Sequence, residues 1–238
     1  FHRMSKINVL LNNSVGFVLR SYIYVSNTSW IMAEKILSLA FTFLATVLLA
    51  RHLGPESFGI LSYATSIIAL AAICGHVGLS SLVVRDLVRT SADEGVILGT
   101  TLALKGVGYF LGFGSLLVYA LITTEPGESE REVLIILSLI LLLKPFDVVD
   151  FWFQSKLKIK YVSISKMISM VATTIMRLVL IYLGMELVFF AAVNVVYAFI
   201  IMILMLIFYF KKSSLGLLNW RASWSKAIEF MSQGWMVF

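Results

Sequence analysis

Eight ionisable side chains stand inside stretches otherwise made of Leu, Ile, Val, Phe and Met. Five are basic (Lys35, Lys105, Lys144, Lys166 and Arg177) and three are acidic (Glu34, Asp147 and Asp150). A Lys, Arg or Asp at the centre of an apolar helix costs about 2.5–3.5 kcal/mol on insertion scales. Each is therefore expected to face a bundle interior or a water-filled cavity. The positive excess suits an anionic headgroup such as a phosphate or diphosphate. It does not suit a K⁺ or Na⁺ pore, which uses rings of carbonyls or carboxylates.

Spacing puts several of these groups on shared helix faces. Ser163, Lys166, Ser169, Thr173 and Arg177 fall on one side of a helix at about 100° per residue. Lys35, Ser38, Thr42 and Thr46 do the same, as do Thr101, Lys105, Gly108, Gly112 and Ser115. Three polar stripes predict one shared lumen. Lys105 lies deep in its run and is expected to serve a cavity, as is Arg177. Lys35 and Lys166 lie near run ends, where snorkelling to the interface is an equal alternative. Lys144, Asp147 and Asp150 follow an i, i+3, i+6 series, so Lys144 and Asp147 also read as a neutralising pair. Asn194 reads as interhelical glue rather than a ligand, and Gly108-Tyr-Phe-Leu-Gly112 as a close-packing GxxxG.

Other chemistry finds no footing. His2, His52 and His76 are scattered, and Cys74 is the single cysteine. No metal site, intrachain disulfide or cofactor is expected. There is no H-E-x-x-H, no G-x-S-x-G and no G-x-x-x-x-G-K-[ST], so no catalytic residue is assigned, and the chain is not read as an enzyme.

The elements that must position these groups follow from composition. Of 238 residues, 60% are hydrophobic and 13% charged, against about 45–50% and about 25% in soluble domains. Mean hydropathy is +0.94. A soluble globule is excluded. Six runs reach the roughly 20 apolar residues needed to cross a bilayer: 30–50, 58–84, 96–122, 133–153, 161–183 and 187–210, with a seventh starting near Ile228. The first run is too long and too far from the start to be a signal peptide. The reading is an all-α polytopic bundle of six transmembrane helices plus the start of a seventh. Residues 1–29 form a cytoplasmic segment, 30–210 the six-helix lobe, 211–227 a basic cytoplasmic loop, and 228–238 the cut-off seventh helix.

Basic residues set the expected orientation. Twelve lie in the N-terminal segment and in the loops on its side (Arg3, Lys6, Arg20, Arg85, Arg89, Lys156, Lys158, Lys160, Lys211, Lys212, Arg221 and Lys226). Only Arg51 and Arg131 lie opposite. The positive-inside rule then places the N-terminus in the cytoplasm. The net charge of +6 is a topology signal, not a nucleic-acid footprint.

Between the first two runs the sequence reads Arg51-His52-Leu53-Gly54-Pro55-Glu56-Ser57-Phe58-Gly59. This resembles the R-x-L-G-P-x-x-[FY]-G signature of polysaccharide and O-antigen flippases. Gly78-Leu79 leading into Val84-Arg85-Asp86, and Asp150-Phe151-Trp152-Phe153-Gln154, match in order. Arg51, Gly54, Pro55 and Gly59 are expected to do structural work: Arg51 against a helix C-terminal dipole, Gly54 at positive φ, Pro55 as a stop.

The resemblance implies two six-helix lobes around a cationic cavity in the inner (cytoplasmic) membrane. Such proteins carry polyprenyl-diphosphate-linked oligosaccharide to the outer leaflet by alternating access. Lys35, Lys105, Lys144, Lys166 and Arg177 would then bind the diphosphate, and Asp147 and Asp150 would relay charge or couple an ion. Implied partners are that lipid-linked oligosaccharide, membrane lipids, polysaccharide polymerase, glycosyltransferases and a missing C-terminal lobe, without which this lobe is not expected to transport. The alternatives are a peptidoglycan-precursor flippase or cation-coupled drug exporter of the same superfamily, and a membrane-embedded transferase.

Overall fold

The computed structural model describes residues 2–76, 78–90, 93–125, 127–213, 216 and 219–234, with side chains from residue 26 onward. The side chains of Arg3, Lys6 and Arg20, and residues 235–238 of the expected seventh helix, lie outside the described residues. Helices follow in the order α1 (His2–His76), α2 (Ser80–Arg89), α3 (Glu94–Thr123), α4 (Ser129–Leu143), a 3₁₀ turn (Lys144–Asp147), α5 (Val148–Ser155), α6 (Ile159–Tyr182), α7 (Leu187–Lys212) and α8 (Trp224–Gly234). Among the described residues there is no strand. The fold is an all-α polytopic bundle.

Among the described residues, four helical stretches are long and apolar enough to cross a membrane: Ser26–Arg89, Glu94–Thr123, Ile159–Tyr182 and Leu187–Lys212. The first holds two of the six apolar runs, divided at Gly54, whose φ of 74° and ψ of 173° leave helical space. That combination is essentially restricted to glycine. Pro55 follows at once as the first residue of the second arm, where its missing N–H costs nothing. The chain was expected to stop here; instead it turns and resumes without a loop. Asn27, on the first arm, donates from Nδ2 to the Leu157 carbonyl at 2.8 Å. α2, which follows the second arm, packs on α5. Both arms therefore return to one end of the bundle, called here the basic end.

The fourth run is interrupted. Pro145 has no N–H and crowds the preceding turn, so the run divides into α4, the 3₁₀ turn and α5. The second run also ends early, with α2 beginning after Gly78 (φ 58°). Through the segment expected at the N-terminus, α1 is continuous from His2. The last helix begins at Trp224 rather than near Ile228.

Burial is inverted relative to a soluble protein. Phe43 is 73% exposed and Ile122 78%, while Ser138, Ser165 and Ser169 are fully buried. Large apolar side chains pointing outward over a whole helix face mark a lipid-facing surface. The interior has two apolar cores. One joins Leu49, Leu61, Tyr109, Leu137 and Phe190. The other, toward the basic end, joins Leu79, Val83, Trp152, Phe153 and Tyr209.

The GxxxG packs as its spacing predicts. A Cβ on Gly108 would lie 2.3 Å from the Cys74 carbonyl oxygen, and one on Gly112 would lie 2.7 Å from that of Ala71. Only glycine lets α3 and the second arm of α1 approach so closely.

Candidate functional site

Two adjoining cavities run through the bundle. The larger, about 560 Å³, lies between the second arm of α1, α4, the 3₁₀ turn and α7. Its wall is mostly apolar (Ile68, Ala69, Ala72, Leu137, Ile140, Ile201) with Lys144, Asp147, Asn194, Tyr197, Thr65 and His76 as its polar groups. The smaller, about 390 Å³, lies between the two arms of α1, α6 and α7, and is lined by Thr42, Thr46, Ser62, Thr65, Arg177 and Asn194 among others. Thr65 and Asn194 line both. A route from Lys144 past Asn194 to Arg177 therefore follows a mostly apolar wall.

Each end of this route is built by local chain chemistry. The 3₁₀ turn forced by Pro145 repeats every three residues, so Lys144 and Asp147 stand on one side. Their charged atoms are 3.7 Å apart and both side chains stay partly exposed. At the other end, Arg177 Nη2 donates to Asn194 Oδ1 at 2.8 Å. Asn194 Nδ2 turns back to the Phe190 carbonyl at 3.4 Å. Asn194 thus acts as the interhelical glue expected of it and also lines both cavities. Tyr197, one turn further along α7, lines the larger cavity beside Asn194.

The other expected site residues are not brought to these cavities. Lys35 has a side chain 68% exposed and lies 3.9 Å from the neighbouring Glu34, so it sits on an outer face. Lys166 pairs with Asp150 at 3.8 Å, and Asp150 also accepts from Gln154 Nε2 at 3.1 Å. Lys105 is buried, with its ammonium 4.7 Å from the Phe151 ring centroid and 5.8 Å from that of Tyr109. Among the described cavities, Lys105 lines none.

Among the described residues, the three stripes do not line one cavity. On α6, Ser169 and Thr173 are buried in helix packing, and their hydroxyls donate to the carbonyls of Ser165 and Ser169 at 2.8 Å. On α3, Thr101 likewise donates to Ile97, while Gly108 and Gly112 are spent on contact with α1. A hydroxyl satisfied within its own helix needs no lumen. Of the stripe residues, Thr42, Thr46 and Arg177 line a cavity.

Sequence reasoning missed Ser62, Thr65 and Tyr197. Ser62 and Thr65 are three apart on one face, and Tyr197 is three from Asn194; that spacing was the available signal. It also missed a buried acid at the basic end. Glu94 accepts from Trp152 Nε1 at 3.1 Å and is ion-paired with Lys156. Asp86 on α2 meets Lys226 and Arg85, each at 3.3 Å. No group of three or more His, Cys, Asp or Glu able to hold a metal ion occurs among the described residues.

The profile of a protein family described as "polysaccharide biosynthesis protein" matches residues 24–238. No curated protein and no solved structure matches the chain.

Proposed function

Because the chain belongs to the polysaccharide biosynthesis protein family, we propose that it forms one lobe of a flippase for polyprenyl-diphosphate-linked oligosaccharide. The lobe lies in the cytoplasmic membrane with its basic end inward, and it works by alternating access together with a second lobe. The observation that carries this reading is the route from Lys144 past Asn194 to Arg177 across two adjoining cavities. A cation at each end of an otherwise mostly apolar passage suits a ligand with a diphosphate head and a hydrocarbon tail. Arg177 can present a planar fork to phosphate oxygens, and Lys144 a point charge.

Roles follow from placement. Arg177 and Lys144 bind the headgroup, and Asn194 orients the guanidinium. Asp147 neutralises Lys144 when no anion is present and releases it when one arrives. Lys166 with Asp150, and Lys105 on its aromatic seat, support the site from behind the wall.

The test is made in cells that depend on the full-length protein. Arg177→Ala and Lys144→Ala should each abolish surface polysaccharide while membrane abundance stays unchanged. Lys35→Ala should leave it normal. Normal polysaccharide from both cavity variants would overturn the reading.

A further inference from the structure

At the basic end, four lysines lie over aromatic rings: Lys226, 5.5 Å from the Phe230 centroid and also ion-paired, and three others. Lys158 Nζ lies 5.4 Å from the Trp152 ring centroid, Lys160 Nζ 5.0 Å from that of Trp30, and Lys212 Nζ 5.4 Å from that of Tyr161. The rings under these three belong to α5, α1 and α6, so three helix ends converge here. Two of them are tied into one aromatic network through Phe153, which lies 5.1 Å from the Trp152 ring and 5.8 Å from that of Tyr161.

These three lysines differ from others at the same end. Lys156 is paired with Glu94, and Lys226 with Asp86 and Glu229. Lys158, Lys160 and Lys212 have no acidic partner among the described residues. A ring face orients an ammonium without neutralising it and leaves its N–H donors free. Orientation by loop charge needs no such seats, since any unpaired lysine satisfies it.

Leu157, which precedes Lys158 in the chain, stands at φ 54°. A leucine in left-handed space is strained. Here it is held by the Asn27 bond to its carbonyl, and its side chain is exposed. Cations, aromatic rings and one outward leucine at the end of apolar spans match the layered chemistry of a membrane interface, with phosphate outside and acyl chain within.

We propose that Lys158, Lys160 and Lys212, with Leu157, form a binding site for the headgroup of an anionic phospholipid. The site is separate from the two cavities and does not rest on what they carry. Charge complementarity selects the lipid. Three unneutralised ammoniums favour a net-negative headgroup over a zwitterionic one, whose own cation they repel.

The test is native mass spectrometry of the purified chain released from detergent with phosphatidylglycerol or phosphatidylcholine. The unsubstituted chain should retain phosphatidylglycerol at least tenfold better than phosphatidylcholine. Lys158→Gln/Lys160→Gln/Lys212→Gln should lose that preference. The control Arg89→Gln/Lys211→Gln/Arg221→Gln removes equal charge from the same end and should keep it. Equal loss in both triple variants, or retention in the first, would overturn the site. So would inorganic phosphate that displaces the lipid at equal concentration. Helicity by circular dichroism should match in all three proteins, and a variant that loses helicity is replaced by the single substitution Lys160→Gln, which should weaken retention severalfold.

Discussion

Arg177 on α6 and Asn194 on α7 are joined by a 2.8 Å hydrogen bond where the two cavities meet. The bond fixes the direction of the one guanidinium that lines a described cavity. It also ties α6 to α7 through groups that would be costly to leave unpaired in apolar surroundings.

Substituting Asn194 separates positioning from charge. Asn194→Leu leaves the guanidinium without its acceptor and should destabilise the fold by about 1–3 kcal/mol. Asn194→Asp keeps an acceptor but cancels the cation. It should fold normally and yet supply much less surface polysaccharide. Membrane abundance and polysaccharide per cell, measured together, distinguish the two outcomes.

Helix contact at the GxxxG predicts a sharp contrast among glycines of one helix. Gly108→Ala drives a methyl into the Cys74 carbonyl, a backbone atom that cannot step aside. It should lower stability by about 1–3 kcal/mol, the usual cost of overpacking. Gly106→Ala and Gly114→Ala meet nothing within 4 Å and should be neutral or slightly stabilising. Thermal unfolding in detergent reads all three.

The turn between the arms of α1 gives a second contrast. Gly54→Ala places a Cβ at φ 74° and ψ 173°, at a cost of about 1–3 kcal/mol. Gly59 belongs to the same motif but meets nothing within 4 Å, so Gly59→Ala should fold as well as the original. The yield of monodisperse protein after solubilisation checks this.

The clasp between α2 and α8 should respond to alkali. Lys226 is held above its usual range first by its hydrogen bond to Glu229 and, against burial, by Asp86. A raised lysine pKa stabilises the fold fully below the unfolded value, roughly 10.4. That contribution is lost as pH rises through the folded value. The difference in melting temperature between the original chain and Lys226→Met should therefore be flat from about pH 7 to 10 and shrink above. A difference that vanishes before pH 10 would contradict the clasp.

Much of the fold was legible because hydropathy and helix length are coupled through the thickness of a bilayer. The apolar runs and Gly54-Pro55 carried their own signals. The break at Gly78 and the split at Pro145 did not register, because an apolar window averages over them. The site was less legible. Periodicity correctly puts Lys105 and Ser169 on polar faces, but it cannot say what covers a face. Lys105 is covered by Phe151, far along the chain, and Ser169 satisfies its hydroxyl within its own turn. Asn194 was legible as a tie between helices and not as a wall of two cavities, since the cavities exist only once α7 has packed against distant parts of the chain.

A reversal made on one glycine leaves no slack for insertion or deletion. Each added residue before Gly54 would advance the first arm by about 100° relative to the second. Thr42 and Thr46 would then turn away from Ser62 and Thr65, which face them across the smaller cavity. The spacing from Thr46 through Gly54 to Ser62 is therefore a fixed length, as strict as the identity of any residue within it.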